Sequence, residues 1–189
     1  MQVDLKDHQY NQFDAYAEWT DTTAKYPTTA PQGYCSEPSY LALGIADEAG
    51  ELCTTRPDES RLKEGGDVLW YAARYATKVL GVNFSAIVRD AMSLPDAALG
   101  FGPVRNGLAY VAIIAGVEKK RIRDGSMWNN ATRALKAEAA YGALVRVVSW
   151  VSWELAAAGY SLDEAIAKNM GKLTARLEAG TIHGDGDNR

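Results

Sequence analysis

The chain has 189 residues, 47% of them hydrophobic, which suffices for one sizeable core or two small ones. A net charge of −4 and a pI near 5.2 argue against a generally basic nucleic-acid surface. Two cysteines, Cys35 and Cys53, make neither a disulfide framework nor a zinc site and fit a reducing compartment.

The N-terminal MQVDLKDHQYNQ is polar, without the apolar stretch of a signal peptide. A first helix is predicted from about Lys6 to Lys25, with Tyr10, Phe13, Tyr16, Ala17 and Trp19 near one face. YPTTAPQGYCSEPS carries three prolines and reads as a loop. A second helix starts at Ser36 or Ser39 and ends near Cys53 to Thr55. After the turn TRPDES, capped by Asp58 or Ser60, a third helix runs from about Ser60 to Leu80 and stops at Gly81. FSAIVRDAM gives a short fourth helix. SLPDAALGFGPVRNG, with two prolines and three glycines, is the best internal boundary and divides the chain at about residue 105.

Beyond it come a helix around Leu108 to Arg123, a long one around Asn130 to Ala158, and a last one from Leu162 to about Glu178. Ser161 and Glu164 have capping-box spacing. The longest apolar run, LVRVVSWVSWELAAAG, is broken by Arg146 and Glu154, so no membrane span is expected and the protein reads as cytoplasmic. Gly81 matches Gly159 and Met92 matches Met170 at one offset of 78 residues. The stretch 106–189 is thus either a degenerate copy of 1–105 or a plain helical extension, and both readings keep an all-α helical bundle.

The chemistry concentrates in ADEAGEL and LKEGGDVLWY. Leu41, Ile45, Glu48 and Leu52 form one stripe at helical spacing, so Glu48 sits inside an apolar face with Glu51 flanking it. On the next helix Glu64 and Asp67 are again three apart. A short turn makes the two helices antiparallel neighbours, and the two pairs of acids then face each other across the seam. An ionised carboxylate on a buried face costs several kcal/mol unless it is paired or binds metal. Four acids without histidine or cysteine suit a hard cation such as magnesium. Gly65 and Gly66 let something approach that turn closely. The plainer reading of any one such pair is solvated helix surface.

These same motifs resemble the ExxE…ExxD signature of the MazG-like nucleotide pyrophosphohydrolases, members of the all-α NTP pyrophosphatase superfamily. YLALGIADEAGEL resembles the first motif helix and LKEGGDVLWYAARYA the second. QYNQFDAYAEWT with the following YP fits the opening helix, and NMGKLTARLEAGTIHGDGDNR resembles the tail of phage-type members. The resemblance implies that Glu48, Glu51, Glu64 and Asp67 ligate Mg²⁺ or Mn²⁺, two or more ions per site. It implies hydrolysis of a nucleoside triphosphate at the α-phosphorus to monophosphate and pyrophosphate, with Glu48 or Glu51 handling the water. Phage-type members that convert dGTP to dGMP make purine deoxynucleotides the first substrates to test, in a host cytoplasm if the chain is phage-encoded. Asn169, Lys172 and Arg176 match the tail motif and would hold phosphate, and Lys63 is a further basic candidate. A homodimer or homotetramer is expected, with no nucleic-acid or membrane partner.

The chain also departs from the family. The first motif helix is cut short at CTTRPD, and the basic stretch VEKKRIRDGS, with Lys119, Lys120, Arg121 and Arg123, appears in the second half instead. That half lacks the acid pairs. Phe13, Tyr16, Trp70, Tyr71 and Tyr75 could stack on a base, although aromatics at helical spacing more commonly build core. Trp128, Trp150 and Trp153 read as core or interface; His8 and His183 are isolated. Two other functions compete: a non-catalytic nucleotide-binding or oligomerisation module, and a hydrolase of alarmone-type nucleotides.

Overall fold

The computed structural model describes residues 10–26, 36–56, 58–95 and 103–182, the side chains of 103–106 excepted. The molecule is an all-α bundle, and no strand occurs among the described residues. Its helices are α1 (Asn11–Thr23), α2 (Glu37–Thr54), α3 (Asp58–Arg74), α4 (Phe84–Met92), α5 (Pro103–Asp124), α6 (Asn130–Ala157) and α7 (Leu162–Glu178). A π-helical segment, Tyr75–Leu80, continues α3, and a 3-10 turn, Gly125–Met127, follows α5. No described helix is long and apolar enough to cross a membrane.

Local chemistry sets most of these boundaries. Ser36 is extended ahead of α2, and Pro38 falls in the first turn, where its missing N–H costs nothing. The Asn129 side chain accepts from the Thr132 amide at 2.8 Å to open α6. Ser161 and Glu164 form the predicted capping box on α7. Gly81, at φ +66°, ends the π segment in the left-handed region that favours glycine.

Two expectations need correction. The fifth helix begins at Pro103, not near Leu108. Pro103 suits a first helical turn, and Gly107 lies inside the helix because a β-carbon there would come within 2.2 Å of the Trp150 ring. The third helix begins at Asp58, which is therefore inside it and not its cap. The Lys6 end of the first predicted helix and most of the tail, including His183, lie outside the described residues, as do His8 and Cys35.

One core joins all seven helices, from Phe13 and Tyr16 on α1 through Ile45, Leu69, Ile87 and Ile114 to Trp150 and Ile166. The middle of α6 runs through it: Leu144, Val147, Val148, Trp150 and Val151 are all fully buried. Buried Arg74 pins α1 and α2 to α3, donating to Asp21 at 2.9 Å, to Thr20 at 3.2 Å and to Glu37 at 3.4 Å.

Both halves follow one plan. The hairpin α2–α3 is followed by α4, and the hairpin α5–α6 by α7. α2 packs on α5 and α3 on α6, while the short helices cross over: α4 packs on α6 and α7 on α3. In each hairpin a glycine lies under an aromatic ring, Gly44 under Tyr71 and Gly107 under Trp150. Tyr71 is ten residues before Gly81, and Trp150 is nine before Gly159, which also has positive φ. A π turn inserts one extra residue into a helix, which accounts for the slip of one.

Candidate metal centre

The predicted stripe on α2 is present: Leu41, Ile45 and Leu52 are buried, and Glu48 is its half-buried polar member. The antiparallel α3 brings Glu64 opposite. One carboxylate oxygen each from Glu48, Glu51 and Glu64 lie within 4.8 Å of one another, so these three acids could hold a metal ion. Glu51 is exposed at the mouth of the group and Glu64 is buried beneath it.

The electrostatics show an incompletely compensated site. Burial first, then the charges of Asp67 and Glu51, push the Glu48 carboxyl up to about 8. Burial also raises Glu64, against the opposing pull of Lys63, whose ammonium donates to Glu64 Oε1 at 2.9 Å. Glu64 Oε2 is buried and has no hydrogen-bond partner. A buried carboxylate oxygen without a donor is costly, and it is the ligand atom a hard cation takes. An oxygen-only donor set containing an orphaned buried oxygen therefore fits a hard divalent cation.

Asp67 lies beside these three acids, outside their 4.8 Å group. Its Oδ1 accepts from Asn169 Nδ2 at 2.7 Å, and Lys172 Nζ contacts both of its oxygens. Asn169 is itself fixed: it is buried, and Tyr16 donates to its Oδ1 at 2.8 Å. This Tyr16–Asn169–Asp67 chain ties α1, α7 and α3 together beside the acids. The close approach predicted at Gly65 and Gly66 is made by protein. A β-carbon on Gly66 would lie 2.8 Å from the Ala165 carbonyl oxygen and 3.0 Å from Asn169 Cβ, and one on Gly65 would meet Leu155 at 3.0 Å.

The remaining candidates divide. Lys63 and Lys172 are at the acids, each engaging one of them. Arg176 is buried two turns beyond Asn169 on α7. Phe13, Tyr16, Trp70 and Tyr75 are core, so of the five aromatic candidates only Tyr71 keeps partial exposure. Tyr71 shares a hydroxyl contact with Tyr40 at 3.3 Å; burial first, then Tyr40, hold its proton more tightly, and the charges of Glu48 and Asp67 add to this. Of the basic stretch, Arg121 is spent on Glu118, Ser36 and Ser39, and Arg123 on Asp124; Lys119 and Lys120 are exposed. Trp150 is core, and Trp153 is exposed.

The hydrogen-bonding role of Tyr16 escaped the sequence reading, which weighed it as core or as a stacking platform. No local signal carries that role, because Asn169 is 153 residues away.

At the places of the second hairpin that match these acids, counted from Gly107 and Trp150, stand Val111, Ile114, Ala143 and Arg146. The first three are buried in the core, so apolar packing fills what is the acid cluster in the first hairpin. Comparison with models of protein families, with curated proteins and with solved structures found no match to this chain.

Proposed function

We propose that the protein is a metal-dependent pyrophosphohydrolase of nucleoside triphosphates, of the MazG-like type, releasing monophosphate and pyrophosphate. The observation that carries the proposal is the gathering of Glu48, Glu51 and Glu64 oxygens within 4.8 Å, with one buried oxygen of Glu64 unpaired. The family resemblance supplies the triphosphate; the geometry supports only the cation.

Glu48, Glu51 and Glu64 would hold Mg²⁺ or Mn²⁺. Bound ions supply charge neutralisation on the phosphates and a more acidic water. Glu51, exposed at the mouth, would orient the water and accept its proton. As the water oxygen bonds to the α-phosphorus, the bond from that phosphorus to the bridging oxygen breaks and pyrophosphate leaves. Glu64, buried and backed by Lys63, keeps its carboxylate in one place through the reaction. Asn169 and Tyr16 hold Asp67 from behind. Tyr71, the aromatic candidate that keeps partial exposure, would meet a base.

The test is to incubate the protein with each NTP and dNTP and Mg²⁺ or Mn²⁺, then resolve the products by chromatography. Monophosphate plus pyrophosphate is expected from at least one purine deoxynucleotide. Diphosphate plus orthophosphate would refute attack at the α-phosphorus, and no turnover at all would leave the binding-module reading in its place. Glu51→Gln should lower turnover at least about 100-fold, the scale of one lost acid–base group, with helical circular dichroism unchanged.

A further inference from the structure

Asp67 is the predicted ligand that the other three acids do not include, and its geometry explains why. Its carboxylate is largely buried, and a charge in such a place needs an opposite charge beside it. Asn169 is neutral and cannot provide one. Lys172 does, with its ammonium against both oxygens.

The two partners are held differently. Asn169 is buried, gripped by Tyr16 and packed against Gly66, so Asp67 is held from that side. Lys172 reaches in on a flexible four-carbon stem, its side chain about as buried as that of Asp67. It is near enough to Glu48 to favour that residue's charged form, so its charge faces the acid group as well as Asp67.

We infer that Lys172 is the stand-in cation of the metal-free site: it leaves Asp67 when a divalent cation enters and turns to the anion that follows. The inference rests on the metal reading above and deepens it. Lys172 is then a positioning residue that couples cation loading to anion capture. It is more than a clamp between α7 and α3. A clamp and a stand-in cation differ in sign. Removing a clamp loosens the site and weakens or leaves unchanged its hold on metal. Removing a competing positive charge strengthens that hold.

The experiment is calorimetric titration of the full chain with Mn²⁺ alone, without nucleotide, in wild type, Lys172→Gln and Lys172→Arg. Lys172→Gln should bind Mn²⁺ at least about tenfold tighter, because a full charge a few ångströms from the ion is gone. Lys172→Arg, whose planar fork grips a carboxylate with two parallel bonds, should bind it more weakly than wild type. Pyrophosphate added to the Mn²⁺-loaded protein should bind Lys172→Gln more weakly than wild type. Mn²⁺ affinity in Lys172→Gln that is equal to or below wild type overturns the inference and leaves the metal centre standing. Absence of Mn²⁺ binding in wild type overturns both. If circular dichroism shows Lys172→Gln unfolded, Lys172→Arg decides: unchanged or tighter Mn²⁺ binding there overturns the inference.

Discussion

Glu48 shows at the scale of one residue what the site demands. It occupies a position of the α2 stripe whose neighbours Ile45 and Leu52 are fully buried, and its carboxyl is pushed up to about 8. In the unfolded chain the same group titrates near 4.5. Between those pH values the folded state holds a proton that the unfolded state has lost. The stabilisation is therefore complete below about 4.5 and is lost as pH rises to about 8. Metal-free protein should melt at progressively lower temperature from pH 6 to 8.5, and saturating Mg²⁺ should raise the midpoint more at pH 8.5 than at pH 6. Glu48→Gln should flatten the pH slope and remove much of the Mg²⁺ effect. A variant slope equal to that of wild type would show that Glu48 is not the group responsible. The acids were legible in the sequence because carboxylates inside an apolar stripe violate the pattern around them. The partners of Asp67 were not, since Tyr16, Asp67 and Asn169 meet only through the tertiary arrangement of α1, α3 and α7.

At the scale of elements, the helices were largely readable, because caps and apolar periodicity agree along most of the chain. α4 and α7 have the predicted ends, and α6 stops within one residue of them. Proline and glycine misled where tertiary packing gave them another use: Pro103 opens α5, and Gly107 admits Trp150. Neither the π segment after Arg74 nor its extra residue has a sequence signature. Gly65 and Gly66 carry the same lesson toward the site. They weaken α3 by roughly 1 kcal/mol each in propensity and in return let α6 and α7 close on it. Gly66→Ala should therefore destabilise by about 1–3 kcal/mol despite alanine's better propensity, because its neighbour is the backbone of Ala165. A denaturant titration measures this, and a midpoint equal to or above wild type would mean that α7 does not lie so close to α3.

At the scale of the molecule, two hairpins share one plan, and among the described residues the acid cluster lies in the first. α7 from the second half closes on α3 beside the acid cluster, supplying Asn169 and Lys172, while α4 from the first half closes on α6. The candidate site thus draws on both halves of the chain, although all of its clustered acids come from α2 and α3. The second hairpin fills the matching places with Val111, Ile114 and Ala143 and has no acid to compensate there. The repeated glycines at Gly81 and Gly159 hinted at this arrangement, but which helix crosses to which hairpin is decided by packing that no local pattern records.

The central claim is that the acids stand in apolar helices because a divalent cation compensates them. The most direct test is anomalous diffraction from crystals of the full chain grown or soaked with Mn²⁺. A manganese peak among the carboxylates of Glu48, Glu51 and Glu64 is predicted, with Glu64 Oε2 turned onto the ion. Full-occupancy manganese elsewhere with none at these carboxylates, or no manganese at all at millimolar concentration, would contradict it.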